Sequence, residues 1–265
     1  MTNRPKFPSP ALLQDERLDE VNEHLRLIQK KNGLTFGTDA YLLAAFARPV
    51  PLGRAIDLGS GTGIVSLLLA TKEKAATVYA VEVQESFAEL IAKNAKINGL
   101  EERVIPICAD LRTLTAQNFD GEVDLIVSNP PYMRCDSGKR NLHDEKYIAR
   151  HEVCGSIKDF CCAAAKLLKY GGRFVTVWRP DRLCDLLTAL RETKLEPKRL
   201  TFVHADAKSE PCMVLTEAVL GAAPSMRVTA PLMLYLPRTE GENRRRFTEE
   251  AQQIYDSCSF LEPNN

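Results

Sequence analysis

The sequence predicts an α/β protein: a doubly wound sheet of seven strands, mostly parallel, with an antiparallel strand at its edge. Three observations carry that expectation. From Arg54 onward, strand-like and helical segments alternate, the pattern of βαβ crossovers. Some strand segments are apolar almost throughout, as at Val123 and Leu125–Val127, which is how strands buried on both faces read. The last two strands are joined only by the short link Asp206–Pro211, which suits a hairpin rather than a helical crossover.

The elements follow in order. Residues 11–30 carry apolar side chains at a spacing compatible with a helix or short strands, and contain no glycine. A helix then begins near Thr38 or Asp39, either of which is a suitable N-cap, and Pro49 and Pro51 end it. "RAIDLG" (54–59) is the first strand of the sheet, and Ile64–Thr71 is the helix behind its glycines. "ATVYAVEV" (76–83) is the second strand, followed by a helix from about Glu85 to Asn98 closed by "NGL". "RVIPICAD" (103–110) and "VDLIVSN" (123–129) are the third and fourth strands. Residues 156–172 read as a helix with glycine just past its end. "RFVTVW" (173–178), a helix over 181–194, "PKRLTFVHA" (197–205) and "CMVLTEAVLG" (212–221) complete the set. The expected organisation is an N-terminal extension over 1–48, a catalytic α/β domain over 49–221 and a C-terminal strand and helix extension over 222–265.

Composition narrows the function classes. The apolar fraction, 45%, is ample for a core in a chain of 265 residues. There is neither an apolar run long enough for a membrane helix nor an N-terminal apolar segment of a secretory signal. Eight cysteines lie scattered, without a C-x-x-C pair or histidines at ligand spacing, so neither disulfides nor a metal is expected, and a cytoplasmic location is. With 35 basic and 35 acidic side chains the chain is neutral, which counts against a protein that wraps long nucleic acid and leaves room for local basic patches.

Two motifs carry chemistry. In "AIDLGSGTG", Gly59, Gly61 and Gly63 make a tight turn between a strand and a helix. A P-loop would need Gly-Lys-Ser/Thr, and after the glycines no lysine occurs until Lys72. A dinucleotide fingerprint started at Gly59 would need glycine where Ile64 stands. Asp57, beside the turn, would repel a pyrophosphate and favour a cationic or zwitterionic ligand, as S-adenosylmethionine is. Glu82, at the end of the second strand, is placed to accept from ribose hydroxyls, and Asp110, after the third, from an adenine amine. Val83 and Leu111 adjoin those acids as further expected cofactor contacts.

The second motif is "NPPY", Asn129 to Tyr132, at the end of the fourth strand. Prolines at 130 and 131 hold the residues before them extended, so the Asn129 side-chain oxygen and the Pro130 carbonyl form two fixed acceptors. Two acceptors match an exocyclic NH₂ group, and Tyr132 offers a face on which a planar group stacks. Asn129, Pro130, Pro131 and Tyr132 are therefore the expected catalytic residues.

"DLGSGTG" followed by "NPPY" resembles the class I, S-adenosylmethionine-dependent amino-methyltransferases. With "LTFGTDAYLLAAF", "IARHE", "FVHADAKSEPCMVLTEAVLG" and "LMLYLPRTEGENRRRFTEEAQQIY", residues 16–255 are similar to the tRNA adenine-N6 methyltransferases that modify a valine tRNA. The resemblance implies a Rossmann-like fold, a tRNA anticodon stem-loop as partner, and methylation of the adenosine 3′ of the anticodon. It implies that Asp57, Gly59, Gly61, Glu82 and Asp110 contact the cofactor, that Thr38 and Asp39 close over its methionine end, and that Asn129 to Tyr132 hold the base. Arg134, Lys139, Arg140 and Arg150 would reach RNA phosphates. Methylation of a release-factor glutamine, or of an amine in ribosomal RNA, is the alternative chemistry. A monomer is the expected state.

Overall fold

The computed structural model describes residues 10–31, 37–131, 155–237 and 245–260. The ambiguous stretch near the N-terminus resolves into strands, β1 (Glu16–Asn22) and β2 (Leu25–Lys30), paired antiparallel. Leu25, Leu27 and Ile28 bury their side chains while the backbone of β2 is held by amides of a later helix.

Helix α1 (Thr38–Phe46) follows, and then the main sheet: β3 (Val50–Leu58), α2 (Ile64–Thr71), β4 (Ala75–Glu82), α3 (Glu85–Ile97), β5 (Val104–Cys108) and β6 (Val123–Ser128). After 155 come α4 (Ile157–Leu167), β7 (Leu168–Trp178), α5 (Leu183–Glu192), β8 (Leu195–His204) and β9 (Pro211–Leu220). Short strands β10 (Arg227–Val228) and β11 (Leu232–Met233) and helix α6 (Glu249–Ser257) complete the described chain.

The sheet order is β10, β8, β9, β7, β6, β3, β4, β5, with β11 also on β8. Strands β5, β4, β3, β6 and β7 run parallel, and β9 is antiparallel to both β7 and β8. The seven long strands and the reversed hairpin are as the sequence predicts, but the reversed strand is not the edge. β9 inserts between β7 and β8, and the two-residue strands β10 and β11 extend the sheet beyond β8. A second difference concerns residues 168–172, expected in a helix. They pair with β6 at Val123↔Leu168 and start β7, the chain turning extended at Leu168 (φ −76°, ψ 141°) directly after the last residue of α4.

Alternation along the strands feeds two apolar layers. Ala55, Leu125, Val127 and Val175 face a layer with α1, α2, α3 and α6. Ile56, Leu58, Ile126 and Phe174 face one with α4 and α5. The sequence directs this: strands apolar on both faces have no stable arrangement except between two helical layers. Chain ends join the first layer. Tyr41 of α1 stacks on Tyr255 of α6 (4.5 Å), Tyr255 on Phe247 (4.6 Å), and Phe247 on Tyr235 (5.2 Å). Arg245 lies over the Tyr235 ring at 5.2 Å, which accounts for one arginine of the basic run at 244–246.

Candidate active site

The crossover order reverses between β3 and β6, and that is where an open parallel sheet leaves a crevice at its carboxyl ends. Register fixes what meets there: Asp57 pairs with Val127 and Leu58 with Ser128, so the glycine turn and Asn129 emerge side by side. The Ser128 hydroxyl donates to the Leu58 carbonyl at 2.8 Å and ties the two strand ends together.

The turn itself runs from Gly59 to Gly63. Gly59, Gly61 and Gly63 have φ of +74°, +55° and +83°, which a side chain would strain, and a Cβ on Gly63 would stand 3.1 Å from Ile91. Its N–H groups face inward. Those of Gly59 and Ser60 donate to the Val81 carbonyl (3.0 and 2.9 Å), that of Gly63 to the Ser60 carbonyl (2.9 Å), and that of Gly61 to Glu82 Oε2 (2.9 Å). Four of five donors are thus used inside the protein. A pyrophosphate loop needs them pointing at the ligand.

The three acids take different stations. Asp57 is 1% exposed: its Oδ2 accepts from the Ser66 N–H at 3.2 Å and the Ser66 hydroxyl at 2.8 Å. It therefore supplies the first turn of α2 with the cap that Gly63, lacking a side chain, does not. Burial pushes its carboxyl up to about 6, against the opposing pull of the hydrogen bonds from Ser60 and Ser66, and the nearby Glu82 adds to the rise. This differs from the sequence reading, in which Asp57 meets the ligand directly; the carboxylate lies behind the turn.

Glu82, also buried, clasps the turn from the other side: Oε2 on Gly61 N–H and Oε1 on Gln84 N–H, 3.0 Å. Each oxygen keeps a second lone pair. Val83 follows it, half-buried. Asp110 caps the short 3₁₀ turn Leu111–Thr113 and is forked by Arg112, whose Nε and Nη2 reach its oxygens at 2.9 and 2.5 Å. The Arg112 guanidinium holds the Asp110 carboxyl below the usual range. That acid is expected at an adenine amine, yet here its strongest partner is a neighbouring cation. Leu111 packs into the second apolar layer.

At the other rim, Asn129 is half-buried, Pro130 buried and Pro131 exposed. The Asn129 Nδ2–H donates to Asp39 Oδ2 at 2.8 Å. Thr38 and Asp39 are the first two residues of α1, not its cap; the cap position is Gly37. Thr38 shares a hydrogen bond with the Tyr255 side chain, and the Tyr41 hydroxyl donates to the Tyr255 carbonyl at 2.6 Å. Tyr132, Arg134, Lys139, Arg140 and Arg150 lie outside the described residues.

Two residues that sequence reasoning passed over support the turn. Ser66 holds Asp57, and Asn94 of α3 bridges the turn to β2: Ile28 N–H to Oδ1 at 2.6 Å, Nδ2–H to the Ile28 carbonyl at 3.1 Å and to the Thr62 carbonyl at 3.0 Å. A signal existed for the second. Asn94 and Asn98 stand four apart on an otherwise ordinary amphipathic helix, hence on one face.

A crevice at the switch point, a turn that withholds its N–H groups, two buried carboxylates around it and an asparagine-proline rim define a class I methyltransferase. A family model described as the methyltransferase small domain matches residues 30–193. A tRNA1(Val) (adenine(37)-N6)-methyltransferase of Porphyromonas gingivalis is 33% identical over 190 residues, 68% of this chain and 72% of that protein. The protein of the same description from Bacteroides fragilis is 32% identical over 209 residues, 71% and 84% of the two chains. A solved structure described as a predicted O-methyltransferase from Agrobacterium tumefaciens shares the fold, with a TM-score of 0.66, 20% identity and coverage of 86% and 100%. The chain belongs to the methyltransferase small domain family and, within it, to the tRNA1(Val) (adenine(37)-N6)-methyltransferases.

Proposed function

We propose that the protein transfers the methyl group of S-adenosylmethionine to N6 of adenosine 37 in tRNA1(Val). The relatives named above carry that substrate in their descriptions, and the chain's own residues fit it. The observation that carries the reading is the pairing of the Asn129 rim with a turn suited to a ligand without phosphates.

Cofactor fit follows from the donor set. A turn whose N–H groups are internally satisfied and whose flanks are carboxylates suits a cationic, phosphate-free ligand. Glu82 has lone pairs left for ribose hydroxyls. Asp57 acts through its field rather than by contact. When bound, S-adenosylmethionine supplies a methyl on a sulfonium, an electrophile that needs no metal or covalent intermediate. Asn129 and the Pro130 carbonyl orient the adenine amine and draw on its hydrogens, so that the nitrogen lone pair is directed at the methyl carbon. Transfer would break the methyl–sulfur bond as the nitrogen–carbon bond forms, its electron pair remaining on sulfur as a neutral thioether, and the proton of the amine, then cationic and acidic, would pass to solvent. Catalysis of this kind is positioning and electrostatics.

An adenosine in the anticodon loop is unpaired, so it can be splayed out of the stack at little cost. Tyr132 is assigned to stack on it, and Arg134, Lys139, Arg140 and Arg150 to reach phosphates. Residues 1–48 and 222–265 serve as extensions that brace the catalytic domain over 49–221. Glutamine methylation in a release factor is not favoured, since no relative named above has that description.

The test is to incubate wild type and Asn129→Ala with methyl-labelled cofactor and separate pools of tRNA, ribosomal RNA and release factor, then digest. Label in N6-methyladenosine from tRNA, lost by at least about a hundredfold in the variant with cofactor affinity intact, is expected. Label in glutamine or ribosomal RNA, or an unimpaired variant, would overturn the reading.

A further inference from the structure

An asparagine that must present its oxygen to a substrate has an orientation problem. Its Oδ1 and Nδ2 are nearly isosteric, and a half-turn about the last torsion exchanges an acceptor for a donor. If the amide at Asn129 turned, its NH₂ would face the amine of the base, donor against donor, and the clamp would repel what it is built to hold.

The structure contains a device that blocks that turn. Asp39 stands in the first turn of α1, where an acid would ordinarily serve the helix N-terminus. No side chain caps α1. The Asp39 carboxylate instead accepts from Asn129 at 2.8 Å, across 90 residues of sequence. An ionised carboxylate has no hydrogen to give, so the atom facing it has to be the nitrogen, and the carbonyl oxygen takes the other arm of the amide.

Gly37 bears on the same rotamer. Its φ of −109° is one that any residue adopts, so torsion does not require glycine there. What a side chain there would disturb is Asp39: a Cβ at position 37 would lie 2.6 Å from Asp39 Oδ1 and push the carboxylate out of its present rotamer. The position is kept bare for the rotamer that brings the carboxylate to Asn129. Thr38, between them, is tied to Tyr255, so the start of α1 is also held from the C-terminal segment.

We propose that Asp39 is a positioning residue that fixes the amide of Asn129 with its oxygen toward the base, and that Gly37 is glycine to give that carboxylate room. This rests on the reading of Asn129 as the clamp for the amine. It assigns Asp39 a role distinct from closing over the methionine end of the cofactor, the role its family resemblance implies.

The test compares Asp39→Asn, Asp39→Ala, Gly37→Ala and Asn129→Ala with wild type. Single-turnover methylation of the tRNA is measured at saturating S-adenosylmethionine, cofactor affinity by calorimetry, and folding by thermal melting. Asp39→Ala offers no acceptor and should lose about tenfold to a hundredfold in rate. Asp39→Asn offers an acceptor in one of its two amide orientations and should retain more activity than Asp39→Ala. Gly37→Ala keeps the carboxylate but displaces it, and should fall on the same side even if Asp39→Ala proves unstable. Cofactor affinity should stay within about threefold of wild type in all three. A full rate in Asp39→Ala or Gly37→Ala beside an inactive Asn129→Ala would overturn the positioning role and leave the clamp standing. A loss confined to cofactor affinity would overturn it in favour of a cofactor contact. An active Asn129→Ala would remove the clamp itself.

Discussion

Asp57 is the residue whose perturbation separates stability from function most cleanly. Its carboxyl is pushed from an ordinary 3.8 up to about 6 by burial behind the glycine turn. The folded state therefore binds its proton more tightly than the unfolded chain. Between pH 3.8 and 6 the native protein holds more protons, so unfolding free energy falls as pH rises through that window. A displacement of about two pH units corresponds to about 3 kcal/mol, at about 1.4 kcal/mol each. Above pH 6 the ionised Asp57 is a net burden on stability, retained in spite of its bonds to Ser66. Asp57→Asn keeps an acceptor for Ser66 and removes the charge. Its melting temperature should exceed that of wild type at pH 7.5 by several degrees, at about 2–4 °C per kcal/mol, with the amide's imperfect fit reducing the full gain. The difference between the two proteins should vanish near pH 4, because other carboxyl groups titrate alike in both and cancel. The same variant should bind S-adenosylmethionine about tenfold or more weakly at pH 7.5. Thermal melting from pH 4 to 8 and calorimetry make the measurements. Parallel pH profiles, or a variant less stable than wild type only at high pH, would refute the placement of a buried charge at this position.

Two further substitutions probe the turn. Glu82→Gln keeps one acceptor but sets an NH₂ against either the Gly61 or the Gln84 N–H, so cofactor affinity measured by calorimetry should drop about tenfold to a hundredfold; an unchanged Kd would remove Glu82 from the site. Asn94→Ala leaves the Ile28 N–H and two carbonyls without their buried partner, which should cost about 3 kcal/mol in urea unfolding and show faster hydrogen exchange at Ile28; a loss below about 0.5 kcal/mol would mean water replaces the amide.

The parts of this molecule that could be read from sequence are those set by periodicity and by backbone chemistry. The apolar run at 125–127 reads as a strand between two helical layers, and the double proline after Asn129 marks where that strand ends. The insertion of β9 inside the sheet was not legible, because hairpin spacing says that two strands pair and nothing about which of them meets β7. Nor were the partners of the acids. Asp57, Glu82 and Asp110 all stand near strand ends, and the residues that decide their fate are Ser66, the Gly61 N–H and Arg112. Those contacts depend on rotamers, which strand and helix patterns do not encode. Asp39 is the clearest instance. By local rules it is a good cap, and a contact 90 positions away takes its carboxylate instead.

The electrostatics of the turn point the same way as its hydrogen bonding. The N-terminus of α2 carries the equivalent of about half a positive charge, and in nucleotide-binding folds it is left open to attract phosphate. Here Asp57 lies against that end and more than neutralises it when ionised. Glu82 adds a second carboxylate at the opposite flank, where its partners are neutral backbone N–H groups. A ligand at the turn therefore meets a net negative field from two carboxylates that are themselves buried, where screening is weaker than at the surface. For a pyrophosphate every term is unfavourable: the field repels it, and the donors that would offset the repulsion already serve Val81, Ser60 and Glu82. For a sulfonium with an ammonium nearby the same field is attractive, and nothing in the turn has to rearrange. The glycines are common to both kinds of site. What separates them is the use of the N–H groups and the sign of the charge behind them.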